Sequence, residues 1–138
     1  MIDKKDFIPK DFGWSMEKSA LFFLGKEVSI FVDTKTDSDH PDKQLFDVQI
    51  QTLKMIHEKW DELSKIIEQE LLAYENISKE ELHKIINSPR VWLEMNLKTN
   101  QPMENDRWSF VLGTTESEDF GWHVEFSGDL HEDTWAGG

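Results

Sequence analysis

The sequence predicts a single α+β domain over residues 1–138. Its antiparallel sheet follows the order β-β-α-α-β-β-β, with one long and one short helix packed on one face. Three observations predict this. Two-residue alternation of apolar side chains appears at residues 27–33 and again between 90 and 126. Three-and-four spacing fills the stretch between them, and turn formers separate the segments. Strands clustered on either side of clustered helices form a sheet with helices on one face. A chain of 138 residues matches one domain and buries about two-thirds of its unfolded surface.

Residues 1–19 are weakly patterned and are expected to form an arm or an irregular first strand. Residues 21–33 read as a hairpin, with Gly25-Lys26 as the turn. In its second arm Val28, Ile30 and Val32 share one face, and Glu27, Ser29, Phe31 and Asp33 share the other. Pro41 and Asp42 suit a helix start. From there Leu45, Phe46, Ile50, Leu53, Ile56, Trp60, Leu63, Ile67, Leu71 and Tyr74 mark the apolar side of a helix over residues 41–75. That length exceeds the average helix and leaves room for a break within it. Ser78-Lys79-Glu80-Glu81 is a capping box that opens a short second helix, stopped at Asn87-Ser88-Pro89.

Three strands follow, at residues 90–98, 107–113 and 121–126. Their core faces carry Val91, Leu93, Met95 and Leu97, then Trp108, Phe110 and Leu112, then Trp122, Val124 and Phe126. Residues 127–138 read as an acidic, partly disordered tail. Asp11-Phe12-Gly13-Trp14 recurs as Asp119-Phe120-Gly121-Trp122 without further internal similarity, so it marks two similar loop-to-strand junctions and not a repeat architecture.

The net charge is −13, and residues 116–138 carry seven acidic and no basic side chains. Such a surface repels a phosphate backbone, so nucleic acid is not an expected partner. It attracts and steers a basic protein. The longest apolar run, residues 20–24, is too short to span a membrane. With no Cys and no apolar leader, the expected location is the cytoplasm.

The alternation also places side chains on the sheet face turned away from the helices. These are Phe31, Trp92, Glu94, Asn96, Arg107, Ser109, Val111, His123 and Glu125. Large aromatics outside a core point to a recognition surface, with Trp92 as anchor and Arg107 or Glu94 for orientation. Glu116, Glu118 and Asp119 would add acidic steering. The alternative is that the N-terminal arm or the C-terminal tail folds over this face, with Trp14 or Trp135 against Trp92. Trp60, Trp108 and Trp122 fall on core faces and need no function.

Glu94 and Glu125 beside Trp92 also suit a small carbohydrate-binding or hydrolytic site, which needs two carboxylates at close spacing. No zinc spacing, nucleophile elbow, phosphate loop or dinucleotide fingerprint occurs, and no cofactor or metal is expected. His131-Glu132-Asp133 is a weak oxygen-and-nitrogen cluster.

The hairpin at 21–33, the long helix through Gln49 and Tyr74, and the Trp-rich strands around Trp108 and Gly121-Trp122-His123-Val124-Glu125-Phe126 resemble the small acidic immunity proteins of bacterial polymorphic toxin systems. The resemblance covers most of the chain at the level of pattern and charge. It implies a non-enzymatic inhibitor that binds a toxin domain and blocks its active site or its approach to substrate. It assigns no individual binding residue.

Overall fold

The computed structural model describes residues 4–10, 13–33, 47–96, 101–102, 107–114 and 121–137. A seven-stranded sheet is its centre. After one 3-10 turn (Lys4–Asp6) come β1 (Ile8–Lys10) and β2 (Gly13–Met16), a small hairpin of β3 (Phe22–Phe23) and β4 (Lys26–Glu27), and β5 (Ser29–Asp33). Three helices follow: α1 (Asp47–Glu58), α2 (Trp60–Glu75) and α3 (Lys79–Ile85). Then come β6 (Ile86–Leu93), the short pair β7 (Met95–Asn96) and β8 (Gln101–Pro102), β9 (Arg107–Thr114), β10 (Gly121–Ser127) and β11 (Leu130–Gly137). The main sheet runs β1-β2-β5-β6-β9-β10-β11. Its neighbours are antiparallel except β5 and β6, which pair in parallel with Phe31 opposite Trp92. The helices lie between these two strands in sequence, and such a crossover returns the chain to the end from which a parallel strand must start.

The α+β class and the mainly antiparallel sheet match the expectation. Several details refine or correct it. Of the two forms expected for the N-terminal segment the strand is the one observed: β1 and β2 belong to the sheet. The C-terminal segment is not a loose tail: Gly128, at a φ of 58°, turns the chain so that β11 pairs along β10. A two-residue Gly-Asp turn between alternating runs is a hairpin signal, and the acidity of the segment hid it. The break for which the long helix left room falls at Lys59, which separates α1 from α2. Strand β6 starts at Ile86 and ends at Leu93, where the expectation was 90–98; Ser88 (φ 49°) and Pro89 form a bulge that lets it start earlier. The Gly25-Lys26 turn shifts by one residue to Leu24 and Gly25, both at positive φ, the conformation that two-residue hairpins require.

The helices cover one face. Ile30, Val32, Val91, Phe110, Leu112, Val124 and Phe126 turn toward them and are shut from solvent, as are Leu53, Ile56, Leu63, Ile67, Leu71 and Leu82 from the helices. Each such side chain contributes about 1.5–3 kcal/mol of transfer free energy. Trp108 stacks on Phe126 at 4.5 Å, and Phe110 meets Phe23 at 5.0 Å and Trp60 at 5.8 Å. Three core indoles have paired donors: Trp60 Nε1 donates to Phe22 O, Trp108 Nε1 to Gly128 O, and Trp122 Nε1 to the Glu75 carboxylate, while Trp14 Nε1 is buried with no partner among the described residues. Tyr74, expected on the apolar side of the long helix, is exposed. Leu45 and Phe46 lie outside the described residues.

Caps behave as the residues dictate. Asn76 ends α2 in the left-handed conformation, and Ser78 Oγ accepts from Glu81 N to start α3. The Gly-Trp pair that ends each copy of the repeated Asp-Phe-Gly-Trp tetrapeptide takes the same place in the sheet. Gly13 and Gly121 each open a strand, and a Cβ on either would fall about 2 Å from a neighbouring carbonyl oxygen, Val32 O and Leu112 O. Trp14 and Trp122 then turn inward against the core. Among the described residues, no helix is long and apolar enough to cross a membrane.

Candidate functional site

The strand registers order the other sheet face into rows. One row crosses Ile8, Ser15, Phe31, Trp92, Ser109, Glu125 and Asp133. The adjacent row crosses Ser29, Arg90, Val111, His123 and Trp135. Phe31, Trp92, Arg90, Ser109, His123 and Glu125 are half-buried, and Glu94 and Arg107 are exposed. Val111 is the exception: it is buried on this side. The side chain of Asn96 lies outside what is described, as do Glu116, Glu118 and Asp119.

The structure brings Phe31, Trp92, Glu94, Arg107, His123 and Glu125 onto this face. Phe31 meets Trp92 edge-on, with centroids 6.0 Å apart and planes at 89°. The Arg90 guanidinium carbon lies 6.0 Å from the centroid of the same indole. Two and three strands away, His123 and Trp135 stack at 3.9 Å and 2°, and Trp135 Nε1 donates to Glu125 Oε1 at 3.1 Å. Among the described residues neither of the two expected indoles covers Trp92: Trp14 packs on the helix side and Trp135 on His123. The ring is nevertheless not bare. Its Nε1 is closed off from solvent and has no hydrogen-bond partner among the described residues.

At Ser109, the cross-strand partner of Trp92, a cleft of about 90 Å³ is lined by Glu94, Arg107, Trp108, Ser109, Glu125 and Phe126. Glu94 follows β6, Ser109 lies in β9 and Glu125 in β10, so three chain segments distant in sequence converge there. Desolvation raises the pKa of Glu94 above the ordinary 4.5, and the negative charges of Asp33 and Glu125 raise it further. Arg107 acts in the opposite direction and more weakly. Its guanidinium is 3.2 Å from Glu132 Oε2, at the exposed rim. Desolvation also lowers the pKa of His123 below 6.5, helped by Arg90 and opposed by Glu125 and a backbone hydrogen bond with Gly137. Burial thus favours the neutral form of the imidazole stacked on Trp135.

A second, larger groove of about 550 Å³ lies among Asp6, Ile8, Met16, Glu17, Lys18, Ser19, Ala20 and His57. No sequence motif pointed to it. The Ser19 hydroxyl there is already donated to Val28 O. Arg90, Trp135 and Asp133 also escaped the sequence reading of the outer face; the Gly128-Asp129 turn was the signal that could have extended the alternation to the last two. The His131-Glu132-Asp133 cluster is pulled apart. His131 turns to Thr134 and Glu70, while Glu132 turns to Arg107. Among the described residues, no group of three or more His, Cys, Asp or Glu is placed to hold a metal ion. Comparison of the chain with protein-family models, with curated proteins and with solved structures finds no match.

Proposed function

We propose that this chain is a non-enzymatic binding protein that engages a basic protein through the sheet face opposite its helices. In the bacterial setting that its pattern suggests, it would be a cytoplasmic inhibitor of a toxin domain, in the manner of immunity proteins. The observation that carries the reading is the row from Ile8 through Phe31 and Trp92, continued by Trp135 in the next row. Aromatic and aliphatic surface remains accessible there and is bordered by Asp33, Glu94, Glu125, Glu132 and Asp133. Trp and Arg at the centre of such a face, with charge around them, have the make-up of an interface in which aromatics slow release and charge speeds encounter. A second copy of the chain is a poor occupant, because each copy carries a charge of −13.

The test is comparative capture from the native host at about 150 mM salt, near the physiological ionic strength. Wild type, Phe31→Ala/Trp92→Ala and the helix-side control Tyr74→Ala are used in parallel. A basic protein retained by wild type and Tyr74→Ala, lost by the double variant, and bound again when purified, is the expected result. Retention that ignores the double variant contradicts the reading.

A hydrolytic site has one observation in its favour, the convergence of Glu94 and Glu125 with the Glu94 pKa raised. The size of the cleft counts against it. About 90 Å³ is far below the roughly 300–1,000 Å³ of ordinary small-molecule sites. Retained glycosidase activity in wild type that disappears in Glu125→Gln would restore that reading.

A further inference from the structure

The seven-stranded sheet ends in two unlike edges. At one end β1 has three residues, among them Pro9, which has no N–H to offer, and Lys10. Short length, proline and lysine are the usual means of blunting an edge. At the other end β11 runs for eight residues, Leu130–Gly137, with neither proline nor lysine. Among the described residues it pairs with β10 alone, and none of its eight residues is buried. One bond gives the direction of its free groups. The Thr134 amide donates to Asp133 Oδ1 at 2.9 Å and so is not spent on β10. Amides two residues apart in an antiparallel ladder point the same way, so the Ala136 amide also faces the open edge. The stretch 121–137 holds four Asp or Glu and no Lys or Arg. Lys59 and Arg107, which reach it from other elements, are already held by Asp129 and Glu132. Leu130 and Trp135 expose apolar surface near the two ends of the strand.

We propose that the open edge of β11 is a strand-docking site, along which the partner lays an extended basic segment as an eighth strand, with alternate Lys or Arg side chains beside Asp133. Main-chain hydrogen bonds to the outward groups of Thr134 and Ala136 supply affinity, and opposite charge on facing strands selects the sequence. Asp133 exchanges its bond to the Thr134 amide for one to the incoming cation, and the amide takes a carbonyl of the new strand, so no donor is left unpaired. The proposal rests on the reading of the outer face as the surface for a basic protein, because Asp133 and Trp135 close the two rows of that face. It adds the way in which the partner is held at the rim. A second copy of the chain is a poor occupant. It would bring its own Glu132 and Asp133 to the same short edge, and like charges on facing strands repel.

The experiment is a chemical-shift and amide-exchange titration of the full chain at pH 7 and low ionic strength, with the capped heptapeptide Lys-Thr-Lys-Thr-Lys-Thr-Lys as probe. Two comparison peptides are run beside it. One has the same sequence N-methylated at every residue, which keeps the charge and removes the donors; the other has Glu in place of Lys. Saturable shifts and slowed exchange centred on Thr134 and Ala136 are expected, with binding about tenfold weaker or more after N-methylation and none of the acidic peptide. Ala136→Pro removes an outward donor and should weaken the parent peptide to a similar extent, while Asp61→Asn/Glu62→Gln, on the exposed side of α2, should leave it unchanged. If Ala136→Pro does not fold, the N-methylated peptide on wild type decides alone. An N-methylated peptide that binds as well as its parent, shifts spread over the α2 carboxylates, or no saturable shift at the two amides overturns the docking edge. So does protection of those amides that grows with protein concentration in the absence of peptide, the mark of a second copy on the edge. Failure of the edge is distinct from failure of the outer-face reading. A partner lost with Phe31→Ala/Trp92→Ala but kept by Ala136→Pro removes the edge and keeps the face, whereas peptide binding at the edge with no basic partner captured removes the outer-face reading alone.

Discussion

Phe110 and Ser109 are consecutive in β9, and they face opposite environments. Phe110 is sealed between Phe23 and Trp60. Ser109 lines an open cleft between two carboxylates. The same contrast runs through the middle of β6, β9 and β10, with Val111 as the exception. One set of alternate residues is closed from water, and most of the other set remains partly open. The difference teaches where stability resides and where the proposed recognition has room to act. The helix side holds the fold by burial, while the outer side keeps half-buried aromatics and like charges close together.

The largest expected effect lies on the closed side. Phe110→Ala should cost about 3–5 kcal/mol in urea unfolding, from lost transfer free energy and the cavity left behind. Trp92→Ala and Phe31→Ala should each cost about 1–2 kcal/mol, because these rings are half-buried and lose mainly one edge-on contact. Equal losses on the two sides would erase the contrast. Next come the paired glycines. Gly13→Ala and Gly121→Ala each force a Cβ against a backbone carbonyl, and each should cost about 1–3 kcal/mol. If only one of the pair matters, the shared role of the repeated tetrapeptide fails.

Smaller effects test the electrostatics of the open side. The raised pKa of Glu94 means that the folded state holds its proton more tightly than the unfolded chain. That contribution is present below pH 4.5 and is lost as pH rises through the folded value. Glu94→Gln should therefore raise the melting temperature at pH 7 by about one to three degrees, with no gain at pH 3. His123 has the opposite sign. Its lowered pKa favours the folded state above pH 6.5, and the gain disappears as acid protonates the unfolded chain first. His123→Gln should flatten the stability profile between pH 7 and 5, read by thermal unfolding across that range.

Much of the closed side was legible in the sequence. Period-two alternation placed Val28, Ile30, Val32, Val91, Phe110, Leu112, Val124 and Phe126 correctly, because burial on one face imposes that period. The capping box at Ser78 was equally local and equally clear. The edges were harder. Strand β11 carries Glu132 and Asp133, and charge is tolerated on an edge strand that has one open side, so acidity misled where the Gly128-Asp129 turn was informative. The break at Lys59 has no Gly or Pro to announce it. The outer-face residues were also foreseeable from alternation, but their grouping was not. The cleft depends on the register of β6 against β9 and of β9 against β10, and on the parallel match of Phe31 to Trp92, all of them long-range pairings with no local signature.

The openness of the outer face is tested most directly by thiol labelling, since the chain has no cysteine of its own. Ser109→Cys and Val124→Cys place one reporter on each side of the sheet. The account predicts that the cysteine at 109 reacts in the folded protein within about tenfold of its unfolded rate, while the one at 124 reacts only through unfolding, slower by the unfolding equilibrium constant, roughly a thousandfold or more. Equal protection at both positions would contradict it, for the outer face would then be covered by the protein's own chain.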